Sequence, residues 1–275
     1  MRFFERGGCL LRRADECGLR VKSLMTLVSL DATQTLHRPW PLPRGPWAMF
    51  MRWHDLLLAH WPVPAAQLQA LVPAPLEIDT WQGEAWLGIV PFRMTAVGPR
   101  CAPSLPGVSA FAEINLRTYV TLGGKPGVWF FSLDASSRSA VRAARWVLKL
   151  PYYHADLNLQ ADADGGIEYD CTRTHRGAPP AGFSAQYRPV GPVEQLLPGT
   201  LEHWFIERYC MYLAKGGGLW RLDIHHDPWP AQVAEAQITR NTLARPLGIE
   251  LAPNPARLHF ARRLDAFAWL PTRLT

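Results

Sequence analysis

The chain has 275 residues, a formal net charge of +6 and a hydrophobic fraction of 48%, enough to bury the core of one large domain or two small ones. Its 25 prolines and 12 tryptophans favour many short strands over a helical bundle, because proline continues neither helices nor central strands. The positive charge comes mainly from dispersed arginines, which argues against nucleic-acid binding and leaves small anions as candidate partners.

The cysteines and the N-terminus bear on compartment and domain limits. Five cysteines lie far apart without a CxxC pair: Cys9, Cys17, Cys101, Cys171 and Cys210. This usage predicts reduced thiols in the cytoplasm. Residues 1–36 are arginine-rich and aperiodic, and we expect an extension that is disordered or translated from an early start codon. Its apolar run is too interrupted for a signal peptide or a membrane span. Residues 37–275 are predicted to form a single domain.

The first half of that domain reads as strands and hairpins. MRWHDLLLAHWPV (51–63) predicts a strand, and a short helix follows that Pro73 and Pro75 end. A hairpin is predicted over 76–97 with its turn at Trp81–Glu84. A second hairpin is predicted over 111–135, where glycines separate two β-rich arms. Four polar residues alternate onto one face of its first arm: Glu113, Asn115, Arg117 and Tyr119.

The second half begins with the clearest helix, SSRSAVRAARWVLKL (136–150), which Ser136 or Ser137 can cap and Pro151 ends. A hairpin is predicted over 152–175. A second helix is predicted over 200–213, stopped by the glycines of KGGG. Two strands, at 219–230 and 231–243, then precede a short tail.

Motifs of high specificity are lacking. The sequence contains no phosphate-binding glycine loop, GxSxG elbow or HExxH helix. His203 and Glu207 are one helical turn apart, and His225, His226 and Asp227 are adjacent, but neither group is a complete ligand set. We therefore expect no metal and no cofactor.

One combination of residues points to chemistry. Glu113 and Arg117 share a strand face, and Tyr152, Tyr153 and His154 begin another strand after the helix. If the two strands are neighbours, a carboxylate, a guanidinium and phenols converge into an anion clamp beside proton donors. The structural alternative is a buried ion pair between Glu113 and Arg117.

A family resemblance covers residues 37–272. It is carried by the run from FAEINLRTYVTL to LKLPYYHADL and by RPWPLP, WHDLLLAHWPV, AWLGIVPFRM, LEHWFIERYCMY and HHDPWP. The chain resembles a bacterial family of unknown function, often called YqjF-like, which is similar to acetoacetate decarboxylase in fold. The resemblance implies an α+β fold of mainly antiparallel strands, a β-cone or barrel with a few outer helices and a ligand cavity.

The resemblance also shows a departure. Matched by order, the glutamate of the decarboxylases falls on Glu113, and their two adjacent lysines fall on Tyr152 and Tyr153. A phenol cannot form the imine on which their chemistry depends. Lys149 and Lys215 are unconvincing substitutes, so we expect no lysine Schiff base.

Three functions remain open. In an enzyme, Glu113 acts as base and Tyr152 or Tyr153 as acid, with Arg117, Tyr119 and His154 holding a small, anionic substrate. Alternatively, a protein of the same fold binds such a molecule without transforming it, or tryptophans fill the interior of an interaction module. Both tyrosines cannot point inward from a regular strand, and His154 shares a face with Tyr152. The oligomeric state has no signal in the sequence.

Overall fold

The computed structural model describes residues 35–100 and 109–274. Trp40–Thr275 form one compact unit, and it contains every helix and strand named below. The predicted extension, residues 1–36, lies outside the described residues apart from its last two. Within the described ranges, every helix is too short or too polar to cross a membrane.

The described part of the chain contains fourteen strands, three α-helices and a 3-10 helix at Arg245–Leu247. The strands are β1 (Met49–Val63), β2 (Glu77–Ile78), β3 (Ala85–Pro99), β4 (Phe111–Leu122), β5 (Lys125–Ala135), β6 (Tyr152–Ala161), β7 (Ile167–Arg173), β8 (Gly182–Pro189), β9 (Glu194–Gln195), β10 (Cys210–Lys215), β11 (Gly218–His226), β12 (Pro230–Asn241), β13 (Arg257–Ala268) and β14 (Thr272–Arg273). The helices are α1 (Ala65–Gln69), α2 (Arg138–Val147) and α3 (Leu201–Ile206).

The sheet is mainly antiparallel, which confirms the predicted fold class. Seven strands pair in a closed ring in the order β5, β4, β3, β1, β13, β11 and β10. The ring closes through a short parallel pairing between β10 and β5. Strands β6, β7, β8 and β12 extend the sheet beyond this ring. The ring surrounds one apolar cluster, and a second apolar cluster lies against strands β6, β7, β8 and β12.

Helix α2 brings two distant parts of the chain together. It begins after Ser137, whose side chain accepts a hydrogen bond from the amide of Ala140, as capping residues do. The helix connects β5 to β6 as parallel neighbours, an arrangement that requires a long crossover. Leu133 of β5 consequently pairs with Tyr152 of β6 on one side and with Asn115 of β4 on the other.

A bulge in β1 turns its side chains toward the ring interior. Asp55 has a φ of +54°, and the register against β3 shifts between His54 and Ala59. A bulge adds a residue to one strand and reverses the alternation of side chains beyond it. Trp53 and Leu56, three residues apart, therefore line the same interior.

Two elements differ from the sequence predictions. The helix predicted over 200–213 ends at Ile206, and Cys210–Lys215 is a strand. The glycines predicted to stop the helix instead form the turn between β10 and β11, where Gly216 and Gly217 have φ of +60° and +75°. The predicted helix was wrong there because buried aromatic residues such as Tyr212 pack against β5.

The C-terminal tail and the first hairpin also differ. Residues 257–268, predicted as part of a tail, form β13, a central strand that pairs with β1, β11 and β12. The turn predicted at Trp81–Glu84 is present. Strand β2, however, pairs with β4 rather than with β3, so the predicted hairpin does not continue from that turn.

Candidate functional site

A pocket of about 100 Å³ lies inside the seven-stranded ring. Its lining comes from strands β1, β3, β4, β5, β6, β10 and β11 and from the segments beside them, and most of it is aliphatic or aromatic. Six polar residues interrupt this apolar surface: Glu113, Asn115, Arg117, Tyr152, Arg208 and His226. An apolar pocket with a few converging polar groups is the usual form of a small-molecule site.

Glu113 and Tyr152 form the central polar pair of the pocket. The Tyr152 hydroxyl donates a hydrogen bond to Glu113 Oε2 at 2.8 Å, and the two residues are 2% and 9% exposed. Burial, opposed by this hydrogen bond, raises the pKa of Glu113 to about 8. Burial also raises the pKa of Tyr152 well above its ordinary value, as does the neighbouring carboxylate. Glu113 is therefore mostly protonated at neutral pH.

The structure places Tyr153 outside the pocket, on the opposite face of β6. The guanidinium of Arg173 lies 4.1 Å from the centre of its ring, and His175 approaches the ring edge-on at 5.6 Å. Arg173 in turn forms a bidentate ion pair with buried Asp134, at 2.6 and 2.7 Å. Alternation along β6 puts Tyr152 and Tyr153 on opposite faces, and the parallel register with β5 leaves Tyr152 on the pocket side.

His154 does not line the pocket either, although it shares a strand face with Tyr152. Its Nδ1 lies 2.9 Å from the Thr174 hydroxyl, and Arg138 Nε donates to its Nε2 at 3.4 Å. His154 pairs with Ala135 at the end of the parallel β5–β6 contact, where β6 leaves the ring. The imidazole therefore lies at the surface beside α2.

Arg117 lines the pocket without a carboxylate partner. Within the described residues it forms no ion pair, so the structural alternative of a buried Glu113–Arg117 pair is wrong. Its Nη2 lies 3.5 Å from the Tyr119 hydroxyl, and its buried Nε has no partner.

Tyr119 lies behind this arginine rather than in the pocket lining. Its hydroxyl is 2.7 Å from His60 Nε2, and its side chain is completely buried. Burial lowers the pKa of His60 well below its ordinary value, and Arg117 lowers it further. His60 is therefore neutral, and with Tyr119 it supports the pocket wall.

Arg208 is a pocket residue that the sequence did not indicate. It is 6% exposed; its Nη1 donates to Asp79 Oδ2 at 2.5 Å and its Nε donates to the Trp204 carbonyl at 2.8 Å. Its Nη2 has no hydrogen-bond partner in the part of the chain that the structure describes. The predicted helix over 200–213 hid this role, because a helical arginine beside a glutamate suggests a solvated ion pair.

Lysine is missing from the pocket lining. Of the three lysines that the structure describes, Lys125 pairs with Asp223 at 2.6 Å, and Lys215 donates to the Val147 carbonyl at 2.7 Å. Lys149 is exposed just after α2. The pocket thus offers no amine for an imine among the described residues.

Of the residues considered as metal ligands, His226 and Glu207 have other hydrogen-bond partners. His226 lines the pocket, and its Nδ1 lies 2.8 Å from the Asp227 carbonyl oxygen. Glu207 accepts a hydrogen bond from the Tyr209 hydroxyl. Across residues 35–100 and 109–274, no three His, Cys, Asp or Glu side chains come together as a metal site would require.

Comparison with known proteins places the chain among uncharacterized relatives. The model of the DUF2071 family, described as an uncharacterized conserved protein, matches residues 50–265. The chain is 43% identical over 228 residues to the uncharacterized protein YqjF of Bacillus subtilis (strain 168), covering 83% of this chain and 93% of that protein. The resemblance to a YqjF-like family is confirmed.

Solved structures of similar fold are acetoacetate decarboxylase-like. One is an acetoacetate decarboxylase-like enzyme from Sphingomonas wittichii RW1, with a TM-score of 0.56 and 15% identity, covering 86% of this chain and 99% of that one. Another is the enduracididine biosynthesis enzyme MppR complexed with pyruvate, with a TM-score of 0.54 and 11% identity, covering 84% and 91%. A third is the acetoacetate decarboxylase of Legionella pneumophila, with a TM-score of 0.55 and 14% identity, covering 90% of this chain and 98% of that one. At these identities the likeness shows the fold alone.

Proposed function

We propose that this chain, which belongs to the DUF2071 family, holds a small organic acid or carbonyl compound in the ring pocket and acts on it without a lysine Schiff base. The observation that carries the proposal is the buried Glu113–Tyr152 pair, 2.8 Å apart, at a pocket otherwise lined mainly by apolar groups. A carboxyl whose pKa is about 8 can give or take a proton near neutral pH.

Each polar residue has a role in this proposal. Glu113 is the general acid or base, and Tyr152 donates a hydrogen bond to a carbonyl or enolate oxygen when Glu113 exchanges its proton. Arg117, which has no carboxylate partner among the described residues, anchors an anionic group of the ligand. The apolar wall excludes water, which strengthens these interactions.

Tyr119, Tyr153 and His154 are assigned no contact with the ligand. Tyr119 supports the wall behind Arg117, and the other two lie outside the lining. The free, buried thiols of Cys171 and Cys210 are compatible with the cytoplasmic location that we propose.

The test is turnover by the purified protein against a panel of oxo acids and lactones, with Glu113→Gln as the first variant. Glutamine retains the shape of Glu113 and an acceptor for Tyr152 but cannot exchange a proton. We expect turnover to fall by about 10²–10⁴-fold, the usual contribution of a general acid or base. Equal turnover by the parent and the variant would remove Glu113 from the chemistry.

The absence of an imine is tested separately. Borohydride is added in the presence of each oxo acid, and the protein is analysed by intact mass and peptide mapping. We expect no stable adduct on any lysine, because a phenol at positions 152 and 153 cannot form one. A reduced adduct on Lys149 or Lys215 would contradict this mechanism.

The second candidate function is binding without chemistry. Two observations favour it: the hydroxyl of Tyr152 already donates to Glu113, and the described residues of the lining include neither a serine nor a cysteine that could act as nucleophile. This function predicts ligand binding with no turnover in the same panel. Native mass spectrometry of the purified protein would then show a retained small molecule.

A further inference from the structure

Several residues that line the ring pocket carry unpaired hydrogen-bond donors. The described residues leave four donor atoms of its lining buried without a partner: Arg117 Nε, Arg208 Nη2, Trp53 Nε1 and Trp229 Nε1. One acceptor, Asn115 Oδ1, is unpaired as well. Buried polar groups in native proteins are almost always paired, so a cluster of donors indicates an absent, acceptor-rich molecule.

We infer that this molecule is a short carboxylate that also carries an uncharged acceptor oxygen, and that Arg208, Trp53 and Trp229 bind it together with Arg117. The inference rests on the proposed function, since it specifies the ligand of the same pocket. It adds three binding residues that no motif and no comparison indicated.

Charge decides that one end of the ligand is anionic. Arg117 and Arg208 both flank the ring of Tyr119, with guanidinium carbons 5.7 and 4.9 Å from its centre. Only one carboxylate, that of Asp79, pairs with either guanidinium in the described part of the chain. Buried charges are costly unless they are paired. One carboxylate of the ligand, bound by both arginines, would balance the excess positive charge.

The register of the strands separates this end from the other. On β4, Arg117 pairs with Gly88, whereas Glu113 pairs with Phe92. Four residues of strand span roughly 13 Å between α-carbons. Trp53 lies 6.2 Å from Phe92 between ring centres, so it belongs to the end of the pocket that holds Glu113.

The far end offers neutral donors. Trp53 and Trp229 lie 6.0 Å apart between ring centres, and the indole N–H of each finds no acceptor within residues 35–100 and 109–274. Indole N–H groups donate but do not accept and carry no charge. This end therefore suits a ketone, hydroxyl or ether oxygen rather than a second carboxylate, which would lack a cation.

The pocket volume limits the ligand to a short chain. At about 10–15 Å³ for each water-sized group, the pocket of about 100 Å³ holds a molecule of roughly seven to ten such groups. An apolar linker of a few carbons matches the aliphatic lining between the two ends. A long-chain fatty acid does not fit.

The experiment compares three matched probes by isothermal titration calorimetry: 4-oxopentanoate, pentanoate and 4-oxopentanamide. The first has both recognised groups, the second lacks the acceptor oxygen, and the third lacks the charge. We expect 4-oxopentanoate to bind at least about tenfold more tightly than either of the other two, since a lost hydrogen bond in a desolvated site reduces affinity by about that factor.

Two conservative variants assign the ends. Trp229→Phe keeps the ring and removes only the N–H, so it should reduce the preference for 4-oxopentanoate over pentanoate and leave the affinity for pentanoate unchanged. Arg208→Gln should reduce the preference for 4-oxopentanoate over its amide. Arg142→Gln, which changes an exposed arginine on α2, is the matched control and should preserve both preferences.

The outcomes separate the inference from the proposed function. Equal affinity for all three probes, reduced alike by Tyr152→Phe, would overturn the donor assignment while the pocket function stands. Binding of none of the probes to the parent would overturn both. Because Arg208→Gln removes a buried group, its far-UV circular dichroism is compared with that of the parent. If that variant does not fold, Arg117→Gln and Trp229→Phe decide the two ends.

Discussion

The raised pKa of Glu113 predicts a stability that depends on pH. The pKa of this carboxyl is about 8 in the folded protein against an ordinary value of 4.5, and burial is the main cause. The folded state therefore keeps a proton that the unfolded chain releases above pH 4.5. Stability from this group is complete below pH 4.5 and is lost progressively as the pH rises to about 8.

The magnitude follows from the size of the shift. One pKa unit corresponds to about 1.36 kcal/mol, so a shift from 4.5 to about 8 amounts to a loss of roughly 5 kcal/mol over the whole window. Glu113→Gln removes the titration and keeps an acceptor for the Tyr152 hydroxyl. Between pH 5 and pH 8.5, the free energy of unfolding of the variant should therefore rise relative to that of the parent by several kcal/mol, roughly the linkage from the shift of Glu113.

Urea unfolding at half-unit pH steps from 5 to 9 measures this difference. Other titrating groups change both proteins alike, so the free energy of unfolding of the parent is subtracted from that of the variant at each pH. Glu168→Gln, at an exposed position on β7, is the matched control for the loss of one carboxylate. A difference that varies by less than about 1 kcal/mol across the range, well below the roughly 5 kcal/mol from linkage, would refute burial as the state of Glu113.

Three further predictions concern the ring and its support. Replacing Arg173 by Met leaves the buried carboxylate of Asp134 unpaired and should lower the free energy of unfolding by about 3–5 kcal/mol; adding Asp134→Leu should recover most of that loss in the same urea assay. Gly127→Ala should lower the melting temperature, because its Cβ would lie 2.7 Å from Cys210 Sγ and 2.9 Å from the Cys210 carbonyl oxygen; an unchanged melting temperature would show that β5 and β10 can separate without cost. The affinity for 4-oxopentanoate should fall as pH rises through about 8, since ionised Glu113 repels an anion; calorimetry at pH 6.5 and 9 should show the fall in the parent and not in Glu113→Gln.

Local sequence signals predicted the elements whose contacts are local. The hairpin of β4 and β5 follows from two adjacent glycines, Gly123 and Gly124, which both adopt positive φ at its turn. Helix α2 follows from Ser137, whose hydroxyl caps the amide of a residue only three positions ahead. In both cases the chemistry that fixes the structure lies within a few residues, and the sequence displays it directly.

Elements fixed by distant contacts were not predictable in this way. Strand β13 pairs with β1, so Leu264 lies opposite Trp53, a residue more than two hundred positions earlier in the sequence. Strand β10 has helical neighbours in sequence, but its Tyr212 packs against β5, where Gly127 leaves room for the ring. Such pairings depend on the whole ring. The pattern of apolar residues within one segment therefore cannot show whether that segment forms a strand or a helix.

In the candidate site, too, local patterns predicted some residues, and distant contacts determine the others. Alternation on β4 and β6 restricted the inward phenol to one of two tyrosines, but only the parallel register of β5 and β6 selects Tyr152. Arg208 was beyond reach because its segment was predicted as helix, two residues past where α3 ends. Since the chain leaves the helix there, a side chain that would have faced solvent points into the ring instead. One misplaced helix boundary thus hides half of the positive charge in the pocket, and with it the reason to expect an anionic ligand held by two arginines rather than one.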